Sequence, residues 1–578
     1  MPRIGHLALI VFELALLTAL IVVTRCANYQ DVFVAGNVYF VDADCYARMT
    51  RAQMVREKPG LIIRHHAFEN FPQGTTPHTT APQDYLIVGL SMLIVSARPA
   101  VAPYHLDLAG AFVSPLLALF GGWFLWWWSR GMKFRYRWVL LILYATSPIL
   151  VHGTELGRPD HQSLLILLVA IAICAEWSWQ ELEASTSPGK SNWDGGPSFA
   201  DATAGKVETA TPCLPGDAIR ESRMPWRLSA WAVTSAVCWA VAIWVSMYEP
   251  LVLFVLVATT AILMNRRAVF ARDRRAGWIL FAVIIAIAFA IEQRVPSFAI
   301  LQSDGHLKSW ASTIGELVHV SPMNPVWLNW CGYLLLITPI LIWIGMRTPE
   351  NAAPSLRRAG SGRGLPIYVL LVATYFLTVW QARWGYFFVL IFALALPALL
   401  APIKSSAAVW IAVVLSMYPI LRDWDERLWP NEAQLAMRME KRIESAQIRD
   451  LALSLRSPEV HPFLAPWWLS PSIAYWSAQP GVAGSSHESL NGIEDSARFF
   501  LSEDLQKARE ILEKRRVAWV FAYDSDRVAQ NSAAILNEPR PLQPLCRVLD
   551  RTPSQAPSFF IFFAQNPTCK LYGVAAGR

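Results

Sequence analysis

Apolar runs of roughly 16 to 22 residues recur along the chain as far as residue 421, with short polar segments between them. A run of this length lets a helix cross a hydrocarbon core of about 30 Å. The pattern therefore predicts a polytopic α-helical membrane protein with about eleven spans. The predicted spans cover residues 7–24, 108–128, 136–152, 163–179, 228–246, 249–265, 276–293, 327–346, 366–381, 384–402 and 406–421.

Basic residues between the runs predict the orientation, because cytoplasmic loops carry the Lys and Arg excess. Clusters at 130–137, 266–275 and 347–363 all fall on one side if Tyr85–Val101 does not span. Its clean apolar run, Tyr85–Ala97, is short and is typical of an interfacial or re-entrant helix. We therefore expect a cytoplasmic N-terminus on a retained first helix, an external loop at about 25–107, and a second external loop at about 293–326.

Composition excludes an ordinary soluble protein, since 54% of the residues are hydrophobic and only 16% are charged. The net charge of +7 is dispersed between the apolar runs, so it indicates topology and not a nucleic-acid partner. Residues 181–227 are rich in Ser, Thr, Gly and Pro and lack apolar periodicity. They predict a disordered cytoplasmic insertion in a membrane domain of residues 1–421.

The tail, residues 422–578, has a different pattern. Ser502–Lys514 has an acidic first turn and a basic last turn, as a helix dipole prefers, and strand patterns follow at Val517–Ala522 and Ser558–Ala564. We expect an extracytoplasmic α/β domain. Cys546 and Cys569 fall within it, where a disulfide would persist.

Three acidic motifs occupy the predicted outer loops, where membrane enzymes and transporters place function. They contain Asp42 and Asp44, then Asp160, and finally Glu316. Carboxylates near a membrane exit can bind a hard cation. Each motif also has a simpler interpretation: a solvated loop or a pair with Arg48 for the first, a helix cap for Asp160, and a solvated side chain for Glu316.

The order of the motifs resembles the oligosaccharyltransferase catalytic subunit family, glycosyltransferases of the GT-C fold. Asp42-Ala43 with Tyr46 and Arg48, and then 68–74 (FENFPQG), is similar to the first external loop of that family. Residues 160–162 (DHQ) look like its second acidic motif, and 313–316 (TIGE) match its TIxE motif. The resemblance implies transfer of a glycan from a polyprenyl-linked donor.

By the same resemblance, a divalent cation, Mg²⁺ or Mn²⁺, is held by Asp42, Asp160 and Glu316, with Gln162 or Asp44 as additional ligands. Asp42 and Glu316 are the implied catalytic pair. Gln162 stands where relatives carry a stronger ligand. Three loop histidines, His65, His66 and His78, match no standard zinc spacing, and we expect polar surface roles for them.

Arg383 matches the arginine that contacts the donor pyrophosphate in the family. Trp467, Trp468 and Leu469 are similar to its acceptor-binding WWD region, but Leu469 replaces the Asp that grips a hydroxyl-bearing acceptor residue.

The function we expect is a multi-pass glycosyltransferase of the cell (inner) membrane. It would act on the extracytoplasmic face, with a polypeptide or a glycolipid as the acceptor. One alternative keeps the fold and uses a polyprenyl-monophosphate sugar. Another is a transporter or flippase, which would place charges at the bilayer midplane.

Overall fold

The computed structural model describes residues 2–186, 224–294, 305–347 and 365–575. Most of the predicted insertion, residues 187–223, lies outside these described residues. Its two edges are helical, because one helix continues to Thr186 and the next begins at Met224. Residues 295–304 of the second predicted external loop also lie outside them.

The membrane part is a helical bundle with one short hairpin near its start. Its elements are α1 Pro2–Arg25, α2 Tyr29–Val32, β1 Phe33–Val34, β2 Asn37–Val38, α3 Ala43–Glu57, α4 Ala81–Ala97, α5 His105–Gly131, α6 Arg137–Thr146, α7 Pro148–His152, α8 Gln162–Thr186, α9 Met224–Val245, α10 Tyr248–Val269, α11 Arg275–Glu292, α12 Gly305–Ala311, α13 Val326–Cys331, α14 Leu334–Arg347, α15 Leu365–Trp380, α16 Gly385–Leu400, α17 Ser406–Ser416 and α18 Tyr418–Leu428.

Five stretches of the described residues are helical, long and apolar enough to cross a membrane: Gly5–Arg25, His105–Gly131, Gln162–Leu182, Arg275–Glu292 and Ala382–Leu400. α17 and α18, bent by 43°, would form a sixth crossing. The other predicted spans coincide with shorter apolar helices, or with helices broken at positions such as Pro148 and Gly332. The count of about eleven spans stays a prediction.

α16 lies at the centre of the bundle, because every residue from Gly385 to Leu400 is buried. A helix that is apolar all round is stable only when other helices enclose it. The turn before it carries Arg383. The centre of the bundle therefore fixes the position of one predicted site residue.

α4 is a 17-residue helix, about 25 Å long at 1.5 Å per residue. A buried ion pair of 2.8 Å between Asp84 and Arg48 fixes its first turn. The backbone N–H of Ala81 donates to Glu292 Oε1 at the end of α11, at 3.1 Å. α4 is short for a crossing of about 30 Å. Its interfacial placement stays a prediction.

The C-terminal part contains a four-stranded sheet with helices packed on it. Its elements are α19 Glu432–Ser454, β3 Phe463–Leu464, α20 Ser470–Ser477, α21 Leu490–Leu501, α22 Leu505–Lys514, β4 Trp519–Tyr523, α23 Ser525–Leu536, α24 Leu545–Arg551, β5 Phe560–Gln565 and β6 Cys569–Val574.

The strand order is β3-β4-β6-β5, in which β3 and β4 are parallel and the other pairs are antiparallel. The predicted helix begins three residues late, at Leu505, because Asp504 caps it by accepting from Gln506 N at 2.9 Å. Both predicted strands lie in the sheet. The predicted disulfide is wrong, since Cys546 and Cys569 are buried free thiols.

Residues 68–74 of the first loop dock onto the C-terminal part through backbone hydrogen bonds. Gly481 N donates to Phe68 O at 2.9 Å, and Phe71 N donates to Gly481 O at 3.2 Å. The fit is close at Gly492, where an added Cβ would lie 3.0 Å from Asn70 Oδ1. The motif that resembles a family element therefore has a structural role here.

Arg515 makes this docking dependent on charge. Its side chain is 1% exposed, and Nε lies 2.7 Å from Asp495 Oδ2. Nη1 donates to Asn70 Oδ1 at 2.9 Å and to Phe71 O at 3.1 Å. One buried guanidinium thus joins the first loop to α21 of the C-terminal part.

We predict that Arg515→Met lowers the free energy of unfolding by about 3 kcal/mol, because it leaves buried polar partners uncompensated. It should also expose residues 68–74 to limited proteolysis. Arg509→Met on the same helix is the control: Arg509 pairs with Glu513 at the surface, and its loss should cost about 0.5 kcal/mol or less. Equal effects of the two variants in thermal unfolding and proteolysis would contradict this role.

Candidate active site

The first acidic motif lies at the start of α3. Asp42 is the N-cap residue, and its Oδ1 accepts from Cys45 N at 3.0 Å. This bond satisfies an amide that the helix leaves free. Asp44 is exposed in the first turn. Arg48 pairs with Asp84 and not with either aspartate, so the alternative of an Arg48 pair is wrong for this motif.

The second acidic motif is a buried turn before α8. Asp160 Oδ1 accepts from His161 N at 2.7 Å and lies 2.6 Å from His161 Nδ1. Burial raises the pKa of Asp160, but His161 and Arg48 outweigh burial and lower it. The side chain is therefore an ionised carboxylate. Gln162 Oε1, two positions later, is buried and has no hydrogen-bond partner among the described residues.

The third acidic motif is fixed to the turn before α16. Arg383 N donates to Glu316 O at 2.8 Å, and Ala382 N donates to Val318 O at 3.0 Å. The Glu316 side chain accepts from the Tyr386 hydroxyl at 2.7 Å. Backbone and side chain together place Glu316 at the end of the central helix.

Arg158 joins the first and third motifs. Its Nη1 lies 2.8 Å from Asp42 Oδ2 and 3.9 Å from Glu316 Oε1. Its Nε lies 3.5 Å from Glu155 Oε1, and the side chain is 4% exposed. Sequence reasoning assigned Arg158 no role, because no local pattern distinguishes a buried arginine from a loop arginine.

The carboxylates act on one another electrostatically. Desolvation and the charges of Asp42 and Asp160 raise the pKa of Asp44 to about 8, and Glu316 acts in the same direction. Asp44 is open to solvent. Repulsion from the neighbouring carboxylates therefore accounts for its raised pKa better than burial does. A concentration of negative charge of this kind favours a bound cation.

The residue types fit a divalent cation, because carboxylate and amide oxygens are the ligands that hard cations prefer. The unpartnered Gln162 Oε1 is an atom that such an ion would satisfy. The oxygens of Asp42, Asp160 and Glu316 are not all within 4.8 Å of one another, so binding requires the carboxylates to move closer. The predicted ligands therefore lie in one region of the structure. Their binding of a metal ion stays a prediction.

Arg383 lies in the short turn Ala382–Trp384. It forms an ion pair with Glu249 of α10, and its guanidinium stands 5.8 Å from the Tyr248 ring centroid. The charges of Glu316 and Asp160 are near enough to act on it. Arg383 is therefore held beside the acidic motifs by two contacts, with a fifth of its side chain exposed.

A group of histidine and glutamate side chains adjoins the second motif. His78 Nδ1 lies 2.7 Å from Glu488 Oε1, and His487 Nε2 lies 3.5 Å from the same oxygen. The ring centroids of His78 and His161 are 6.2 Å apart. Although burial opposes it, Glu488 raises the pKa of His78. The ligand atoms of His78, His487 and Glu488 all lie within 4.8 Å of one another and could hold a cation.

Sequence reasoning missed this group. His78 is exposed as expected, but it also pairs with Glu488. The expected surface role is wrong for His66, whose side chain is buried. His78 and Glu488 are 410 positions apart, so spacing carries no signal for their contact. The docking of residues 68–74 brings them together. Glu488 Oε2 is buried without a hydrogen-bond partner among the described residues, which leaves an atom available to a ligand.

The predicted acceptor segment adjoins the third motif. The Trp467 ring lies 5.8 Å from that of Trp310 in α12, which leads directly to Glu316. Trp468 Nε1 is buried and has no hydrogen-bond partner among the described residues. Leu469 is the residue before α20, and its side chain offers no hydrogen-bond acceptor. The segment therefore combines an aromatic surface with one free donor.

The chain has a GT-C fold, as its similarity to solved structures shows. It is similar to the oligosaccharyltransferase of Archaeoglobus fulgidus in a complex tethered with an acceptor peptide. The TM-score is 0.63 at 13% identity, over 90% of this chain and 70% of that one. A zinc and sulfate complex of the same enzyme matches with a TM-score of 0.58 at 14% identity, over 97% and 73%.

The chain is also similar to ArnT from Cupriavidus metallidurans bound to undecaprenyl phosphate. That TM-score is 0.54 at 14% identity, over 99% of both chains. No family model and no curated protein matches the sequence. At these identities the likeness establishes the fold, and the activity follows only from the site.

We predict that Arg158→Gln destabilises the protein by about 3 kcal/mol, because the charges of Asp42 and Glu155 lose their buried partner. Glu155→Gln in the Arg158→Gln background should restore part of the loss, since it removes one of the unpaired charges. Thermal unfolding of the two single variants and of the double variant measures the effect. A double variant as unstable as the sum of the two single variants would contradict the coupling.

Proposed function

We propose that this chain is a membrane glycosyltransferase that moves a glycan from a polyprenyl-phosphate or polyprenyl-pyrophosphate donor to an acceptor on the extracytoplasmic face. One observation carries the proposal: three acidic motifs from distant segments meet Arg383 and a histidine group at one end of an apolar helical bundle. Transfer from a lipid-linked phosphate requires this combination of membrane position, anion recognition and carboxylates.

Asp42, Asp160 and Glu316 would hold a divalent cation, with Gln162 or Asp44 as additional ligands. When bound, such an ion stabilises the negative charge that develops on the departing phosphate. Asp160 suits this role because its carboxyl is kept ionised. The A. fulgidus enzyme has a structure with zinc and sulfate, which supports metal binding in this fold, and we propose Mg²⁺ or Mn²⁺ here.

Arg383 would bind the donor phosphate, since a guanidinium offers two parallel donors to phosphate oxygens. His78 and His487 lie near the second acidic motif and offer further donors when protonated. The contact with Glu488 favours the protonated form of His78. These residues would orient the lipid-linked phosphate while Asp42 and Glu316 orient the acceptor.

The acceptor would lie along Trp467, Trp468 and Leu469, on the side where Trp310 leads to Glu316. The unpartnered Trp468 Nε1 supports a ligand there. We propose about eleven spans in an inner membrane, a cytoplasmic N-terminus, and residues 422–578 as an extracytoplasmic domain. Both a polypeptide and a glycolipid suit this arrangement.

The likeness to ArnT favours a second candidate, in which the donor is a polyprenyl-monophosphate sugar. That match covers 99% of both chains, and the matched structure holds undecaprenyl phosphate. Leu469 also favours an acceptor other than an Asn-x-Ser/Thr peptide. The two candidates differ in the phosphate group of the donor, and both would use the acidic motifs and Arg383.

Isosteric removal of charge tests the acidic motifs. We predict that Asp42→Asn, Asp160→Asn and Glu316→Gln each lower the transfer rate by about 100-fold or more, because each removes a group that stabilises or positions the reacting charges. Asp526→Asn, at the surface, is the control. Near wild-type rates in any two of the three variants would overturn the assignment.

Variants at Leu469 test which acceptor the protein recognises. A buried hydroxyl without a partner costs about 1 to 3 kcal/mol, so we predict that an Asn-x-Thr peptide is no better a substrate than Asn-x-Val. Leu469→Asp should create a preference for the Thr peptide, whereas Leu469→Ala should not. A strong Thr preference in the wild-type protein, measured with extracted lipid-linked donor, would show that another residue recognises the hydroxyl.

A further inference from the structure

A second cavity, separate from the acidic motifs, lies between the first loop and α19. Its volume is about 260 Å³, and its charged lining consists of Arg56, Arg449, Arg456 and Asp107. Arg56 lies fourteen residues beyond Asp42 along α3, which corresponds to about 20 Å at 1.5 Å per residue. The cavity is therefore a different site from the candidate active site.

The charges of this cavity do not cancel. Among the residues that the structure describes, none of the three arginines has a carboxylate within 4 Å. Asp107 accepts a hydrogen bond from the Tyr475 hydroxyl, and the charges of Arg449 and Arg56 both act on it. One carboxylate faces three guanidinium groups, which leaves an excess of positive charge.

The cavity lies at the first turn of a candidate membrane-spanning helix. Asp107 lies in the first turn of α5, one of the helices long enough to span. Tyr104, which precedes α5, also lines the cavity and is half-exposed, as aromatic residues at membrane interfaces commonly are. α4 packs against α5 and exposes Met92 and Leu93. The charged cavity is thus lined by a helix that also packs against a helix with exposed apolar side chains.

We propose that this cavity binds the phosphate-bearing headgroup of an anionic membrane lipid. Guanidinium groups pair with phosphate oxygens in a two-pronged geometry. The Tyr475 and Trp476 rings also line the cavity and pack against Tyr46 of α3, so they give the site rigid walls. This proposal does not depend on the transfer reaction.

Native mass spectrometry of the full chain in detergent tests the proposal, with phosphatidylglycerol, phosphatidylcholine and inorganic phosphate as probes. We expect retention of phosphatidylglycerol over phosphatidylcholine. Arg56→Gln combined with Arg449→Gln should weaken this retention by about tenfold or more, since hydrogen bonds to charged groups are lost. Arg56→Lys combined with Arg449→Lys should retain more lipid than the Gln pair but less than the wild-type protein, because the charge stays and the two-pronged geometry is lost. This comparison separates loss of charge from misfolding.

Arg422→Gln is the matched control, because Arg422 is an exposed arginine that pairs with Glu426 outside the cavity. It should leave lipid retention unchanged. Equal retention of the two lipids would overturn the proposal, as would equal losses in the control and the double variant. Displacement of the lipid by inorganic phosphate at similar concentration would show a free-phosphate site and overturn the lipid assignment.

Discussion

The structure depends on how negative charge is balanced at one end of an apolar helical bundle. Asp42, Asp160 and Glu316 each come from a different segment, and ionised carboxylates in such surroundings repel one another. Buried partners compensate them: the Arg158 guanidinium joins Asp42 to Glu316, and His161 forms hydrogen bonds with Asp160. The compensation is incomplete at Asp44, where the pKa is raised. This charge distribution supports our proposal that the site binds a cation beside an anionic phosphate.

The docking of residues 68–74 on the C-terminal part brings further side chains to this site. Arg515 and the backbone of Gly481 hold the first loop against the C-terminal part. The same contact brings His78 to His487 and Glu488. The C-terminal part thus contributes residues to the site. It also carries the aromatic segment that we propose for the acceptor. Loss of the docking would remove the histidine group while leaving the acidic motifs in place.

Much of the architecture follows from local pattern. Apolar runs predicted helices at all eleven positions, and the tail pattern predicted α22, β4 and β5, because helix caps and alternation act over a few residues. The acidic motifs carried enough local signal to be found. Arg158 and the His78 group did not, since their roles come from contacts across hundreds of positions. The disulfide prediction failed because cysteine spacing says nothing about where two thiols lie.

The most direct test of the account measures what becomes of the donor lipid. Purified protein is incubated with extracted lipid-linked glycan and an acceptor, and mass spectrometry follows the lipid product. The account predicts release of polyprenyl phosphate or pyrophosphate in equal amount to the glycan transferred. A chelator should stop the release, and added Mg²⁺ or Mn²⁺ should restore it. Intact donor lipid after incubation with each acceptor class, or release that a chelator leaves unchanged, would contradict the account.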